Sequence, residues 1–216
     1  KVIAAPNAGD SKYEAILFKG DCLVLLDSLD DAFAAYDLVG TDWKANYAQE
    51  AFFNLGEIRF YQANFDEAAS YYNVTLRQYP DEPRANDAID RLLLLRSSKS
   101  DLCKLQLKEL AGAFLLRRQK RPAEATGVFV RLGRTGASEA LRIESLKELA
   151  LTYLDRGDSE GAVRTYRLVG DTLNTSFSPS ALEAVGDIYL VGGRRDEAIR
   201  TYENVILKFP ESVAAG

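Results

Sequence analysis

An alanine recurs at Ala32, Ala68, Ala125, Ala162 and Ala198, and four residues after each comes an aromatic: Tyr36, Tyr72, Phe129, Tyr166 and Tyr202. Twelve residues before each alanine stands a small residue, namely Gly20, Gly56, Ala113, Ala150 and Gly186. Three residue types held in register five times mark one supersecondary unit stacked repeatedly. Two antiparallel helices joined by a tight turn approach closely only where side chains are small. The small residue of the first helix is therefore expected to face the alanine of the second, and the aromatic to fill the space between helix pairs. Glycine inside a helix costs about 1 kcal/mol relative to alanine, so its use at Gly20, Gly56 and Gly186 argues that close packing outweighs propensity. Acidic pairs such as Asp30-Asp31 and Asp66-Glu67 fall where second helices begin and complement the helix dipole, a structural rather than catalytic use.

The fullest copies are "FFNLGEIRFYQANFDEAASYYNVTLRQYP", with Leu55-Gly56, Ala68, Tyr72 and Pro80, and "LEAVGDIYLVGGRRDEAIRTYENVILKFP", with Gly186, Tyr189, Ala198, Tyr202 and Pro210. A looser copy carries Tyr153, Ala162 and Tyr166. The pattern resembles the tetratricopeptide repeat, a helix-turn-helix unit of about 34 residues. That resemblance implies an all-α, right-handed superhelical solenoid of antiparallel helix pairs. About five repeats are expected, at 13–46, 49–82, 106–139, 143–176 and 179–212, within one solenoid at 11–212, flanked by a linker at 1–10 and a tail at 213–216. Two departures stand out. The alanine usual seven residues after each repeated alanine is replaced by Val39, Thr75, Leu132, Val169 and Val205, and the second and third repeated alanines are 57 residues apart instead of 36 or 37. The longer gap contains "EPRANDAIDRLLLLRSSKSD", read as one extra helix at about 84–97 with a bend near Lys99, or as a helix that pairs irregularly with the one following it.

In the family, first helices line the inner surface. The resemblance implies a partner-binding groove containing Glu50, Phe53, Glu57, Phe60 and Tyr61, then Leu110, Phe114, Arg117 and Arg118, then Lys147, Glu183 and Asp187. The aromatics there have two readings, anchors for a partner or cover for the extra helix. The Lys/Asn arrangement with which some family members grip a C-terminal carboxylate is absent, since the corresponding pairs are Leu17/Asp21, Phe53/Glu57, Leu110/Phe114, Lys147/Leu151 and Glu183/Asp187.

Composition narrows the function classes. The 216 residues include no histidine, which removes Ser-His-Asp triads, Cys-His dyads and His-ligated metals from this segment. The two cysteines, Cys22 and Cys103, form no Cys-x-x-Cys pair and read as small hydrophobes. No cofactor, metal or catalytic residue is expected. No apolar run approaches the length of a membrane span, Leu92 to Leu95 being only four residues. Residues 1–83 carry 6 basic and 14 acidic side chains, residues 84–142 carry 13 and 6, and residues 143–216 carry 8 and 12, for a net −5. The basic middle suits an acidic peptide or the chain's own acidic flanks, while the acidic whole disfavours nucleic acid. The expected function is a protein-interaction scaffold. The alternatives are a regulatory or targeting segment of a larger enzyme, and a self-association module using Ile199, Val205, Ile206 and Phe209 of the last helix. The endings "LRQYPDEP" and "ILKFPES" are similar to those of bacterial cell-envelope tetratricopeptide proteins of the outer-membrane assembly lipoprotein and Tol-Pal accessory types. That similarity points to the periplasm rather than the cytoplasm.

Overall fold

The computed structural model describes residues 8–41, 47–173, 175 and 177–212, so most of the expected 1–10 linker and the 213–216 tail lie outside the described residues. The described residues form α1 (Ala8–Leu25), α2 (Leu29–Gly40), α3 (Ala48–Tyr61), α4 (Phe65–Gln78), α5 (Arg84–Ser97), α6 (Asp101–Arg118), α7 (Pro122–Thr135), α8 (Glu139–Asp155), α9 (Ser159–Arg167), α10 (Ser178–Val191) and α11 (Arg195–Lys208). A π-helical stretch, Leu168–Leu173, continues α9. No strand occurs among the described residues, and the protein is an all-helical repeat fold. The chain divides into two compact units, the first ending at Arg121 and the second starting at Pro122.

The helix-to-helix turns obey one local rule. Asp27, Ala63, Lys120, Gly157 and Gly193 all adopt positive φ, between 60° and 75°, and each lies five residues before a repeated alanine. In every case the left-handed residue donates its N–H three residues back, and the next residue donates five residues back: Ser28 to Leu23 (2.9 Å), Asn64 to Arg59 (2.8 Å), Arg121 to Leu116 (2.9 Å), Asp158 to Tyr153 (2.8 Å) and Arg194 to Tyr189 (2.8 Å). The five-residue bond is the Schellman closure, which satisfies carbonyls left open at a helix end. Only two of the five positions are glycine, so the turns at Asp27, Ala63 and Lys120 hold a side chain in a region that disfavours one.

Within the first unit α1 packs on α2, α2 on α3, α3 on α4 and α4 on α5, while α6 lies against α3. Ala32, Tyr36, Val39, Ala51, Leu55 and Ile58 form the centre of one core, and Leu115 of α6 packs against it. In the second unit α7 packs on α8, α8 on α9, and α10 on both α9 and α11. The repeated alanines and the residues replacing the family's later alanine are all buried: Ala32, Ala68, Ala125, Ala162 and Ala198, with Val39, Thr75, Leu132, Val169 and Val205. Val205, expected on the exposed side of the last helix, is among them. It is 2% exposed, while Ile199, Ile206 and Leu207 remain exposed.

At the three glycines of the first helices the closest neighbour is the aromatic ring, not the alanine. A Cβ added at Gly20, Gly56 or Gly186 would fall 2.4, 2.6 or 2.4 Å from the ring of Tyr36, Tyr72 or Tyr202. The glycine accommodates the aromatic ring itself, and the ring then passes across the first helix to reach a carboxylate one residue further on.

Candidate functional site

The three glycine–tyrosine units share a polar end. Tyr36 donates to Asp21 at 2.8 Å, Tyr72 to Glu57 at 2.6 Å and Tyr202 to Asp187 at 2.6 Å. In each case the acid follows the glycine and lies 15 residues before the tyrosine. Where the aromatic is Phe129 or Tyr166, the residue after the small position is Phe114 or Leu151, and the motif is absent. The expected groove residues on α3 have counterparts on α10 at an offset of 130 residues: Glu50 with Ser180, Phe53 with Glu183, Glu57 with Asp187, and Phe60 with Leu190, of which Glu183 and Asp187 were themselves expected in the groove.

On α3 this stripe is covered from within the unit. Arg84 of α5 makes a paired contact with Glu50, through Nε to Oε2 at 2.6 Å and Nη2 to Oε1 at 2.7 Å, and Arg91 approaches Glu57 through Nε to Oε1 at 2.9 Å. Both pairs span 34 residues, so arginines two turns apart on α5 match glutamates two turns apart on α3. Arg84 lies over the Phe53 ring at 5.0 Å, and Arg91 over Phe114 at 4.4 Å. Phe114 meets Phe60 with ring centroids 5.7 Å apart. One turn further along α6, Arg118 Nη2 reaches Asp21 Oδ1 at 2.6 Å, and Gln119 donates to the Val24 carbonyl at 3.2 Å and to Asp27 at 2.8 Å. Phe53, Glu57, Phe60, Leu110 and Phe114 are consequently buried, Tyr61, Arg117 and Arg118 half-buried. The basic middle of the chain therefore meets acidic residues of the first two helix pairs.

The electrostatics follow from this packing. Burial alone would raise the Glu57 carboxyl, but the Arg91 guanidinium and the hydroxyls of Tyr72 and Tyr61 outweigh it and hold Glu57 below its ordinary value of 4.5. Tyr72 and Tyr61 are pushed well above the ordinary phenol range, first by burial and then by the Glu57 charge. A carboxyl depressed in the folded state contributes stability above its unfolded value and loses it as pH falls through the folded one. The stability difference between the wild-type protein and Glu57→Gln is therefore expected to be largest at neutral pH and to shrink on acidification below the ordinary glutamate range. Denaturant midpoints measured by circular dichroism over that range provide the check, and a difference that stays constant with pH would contradict the assignment.

The second unit presents the same stripe uncovered. On α10 the buried residues are Ser178, Pro179, Ala181, Leu182, Val185, Gly186 and Tyr189, and the exposed ones are Ser180, Glu183, Asp187, Leu190 and Val191. The exposed set recurs at helical spacing along one side. Tyr202 is half-buried, and its hydrogen bond to Asp187, with lesser help from burial and the Asp187 and Glu183 charges, pushes its phenol up to about 12. It therefore remains a donor throughout the neutral range. On α8, Lys147 pairs with Glu144 at 3.1 Å and lies over the Phe177 ring at 4.9 Å. Among the described residues no group of histidine, cysteine and carboxylate side chains has an arrangement that would hold a metal ion, and no helix is long and apolar enough to cross a membrane.

Sequence reading missed the left-handed turn position, Arg84 and Arg91; it named Arg118 and the chain's own acidic flanks as a match for the basic middle, but not the individual pairs. The turn position shows as glycine only at 157 and 193. The α3–α5 match was visible as two acids and two arginines, each pair seven residues apart, at a constant separation.

Comparison with known protein families matches residues 50–82 and 181–212 to the tetratricopeptide repeat. These are the two segments carrying Gly56–Tyr72 and Gly186–Tyr202. No curated protein matches the chain.

Proposed function

We propose that this chain, whose residues 50–82 and 181–212 match the tetratricopeptide repeat, a unit that generally mediates protein–protein interaction, is a scaffold without chemistry of its own that binds a partner protein or peptide through the exposed side of α10. One observation carries the reading: the α3 stripe, equivalent through the 130-residue offset, is occupied by helices of the same chain, while the α10 stripe is open and retains its acid–tyrosine pair. Glu183 and Asp187 are the proposed contact residues. Glu50, Phe53, Glu57, Phe60, Phe114 and Arg118, also read as groove residues, serve on this view to seat α5 and α6. The endings Tyr79-Pro80-Asp81 and Phe209-Pro210-Glu211 support a place in a bacterial cell-envelope complex.

The test is affinity capture with the full chain, comparing the wild type with a Glu183→Lys/Asp187→Lys variant. Both positions are exposed, so the variant is expected to fold normally, which circular dichroism verifies. The expected result is a reproducible partner on the wild type that is absent from the variant. Recovery of the same partner at the same yield would move the binding face elsewhere.

Self-association is a second reading, favoured by the exposure of Ile199, Ile206 and Leu207 on α11. Sedimentation showing a monomer at high concentration would remove it.

A further inference from the structure

We propose that the Asp187–Tyr202 pair is a docking site for an arginine-bearing amphipathic helix of another protein. This deepens the scaffold reading and rests on it. The same acid–tyrosine pair occurs three times, and in two of them it holds an arginine delivered by a helix: Arg118 of α6 on Asp21 and Arg91 of α5 on Glu57. Under those helices Tyr36 and Tyr72 are 1% and 0% exposed. In the third copy Asp187 is exposed and Tyr202 only half-buried, and among the described residues no arginine or lysine reaches Asp187. The hydrogen bond from Tyr202 occupies Asp187 Oδ1 alone, which leaves acceptor capacity for a guanidinium.

The surroundings favour arginine on a helix over a solvated lysine. Each filled copy sets its arginine beside apolar groups, Arg91 over Phe114 and Arg118 one turn after Leu115. Leu190 and Val191, 52% and 90% exposed, stand where α3 has Phe60 and Tyr61, so an apolar shoulder is ready for a flat guanidinium. Glu183, one turn before Asp187, adds a second negative charge. The exposed stripe from Ser180 to Leu190 is straight and about 15 Å long at the helical rise, the footprint of a helix laid alongside.

The probe is a fluorescein-labelled peptide of residues 101–121, the chain's own arginine-bearing helix, titrated against the full 216-residue protein by fluorescence anisotropy. Saturable binding is expected, weakened about tenfold or more by Asp187→Asn and equally by Arg118→Gln in the peptide, with no further loss when both changes are combined. Absence of saturable binding, or an affinity that Asp187→Asn changes by less than about twofold, overturns the proposal. So does a loss on Asp21→Asn but not on Asp187→Asn, which would mean that the peptide displaces α6. A dimer of the protein that Asp187→Asn dissolves would assign the site to a second copy and overturn it as well. These failures leave the scaffold reading standing if the Glu183→Lys/Asp187→Lys variant still loses its partner in affinity capture. Retention of that partner by the variant moves the scaffold's binding face off α10, and the peptide result then bears on the Asp187–Tyr202 pair alone.

Discussion

Arg91→Ala is expected to destabilise the first unit by about 3–5 kcal/mol, because it strips the cation from a carboxylate that is nearly all buried. Glu57 is 8% exposed and its charge is balanced by one guanidinium and two phenols. The phenols remain after the substitution, but two neutral donors do not replace a guanidinium. The loss also includes the stacking of Arg91 on Phe114. Combining the change with Glu57→Gln should recover part of the stability, since a neutral amide still accepts from Tyr72 and needs no counter-charge. Chemical denaturation of the single and double variants tests this. A cost below about 1 kcal/mol for Arg91→Ala would place the pair among ordinary surface ion pairs.

Gly56→Ala is expected to cost about 1–3 kcal/mol by overpacking, reduced by roughly 1 kcal/mol of recovered helix propensity. The new methyl would lie 2.6 Å from the Tyr72 ring, which is fully buried and tied to Glu57, so neither ring nor helix has room to shift. Gly186→Ala is the control. The methyl would meet the Tyr202 ring at 2.4 Å, but that ring is only half-buried and can swing toward solvent. It should therefore cost less, and thermal or denaturant melts of the two variants give the comparison directly. Equal costs would mean that burial of the ring is not what makes the glycine necessary.

These two cases separate what was legible in the sequence from what was not. The spacing of alanine, aromatic and small residue was legible because it reflects contacts between adjacent helices, and such contacts leave a periodic trace. The ring as the nearest neighbour of the glycine was not foreseen, because a small residue records only that something approaches closely, not what approaches. On α3, the resemblance to the family grouped Phe53, Glu57 and Phe60 as residues of one groove. What lies over them depends on α6, whose Arg118 meets a residue 97 positions away. No repeat spacing encodes such a contact. The stripe of α10 has the opposite character: the resemblance to the family named Glu183 and Asp187, and no helix among the described residues covers them.

The return of α6 onto α1 and α3 also bears on how the first unit folds. A plain stack of helix pairs is nearly one-dimensional: each pair touches its neighbours, so the array can melt from its ends one pair at a time. Arg118 on Asp21 and Leu115 against the α1–α3 core tie the last helix of the first unit to the earliest one. Fraying at α1 then exposes the inner side of α6, and release of α6 uncovers α3. The six helices should open together in one cooperative step, with amide protons of α1 nearly as slow to exchange as those of α3 and removal of α1 unravelling more than its own length of chain.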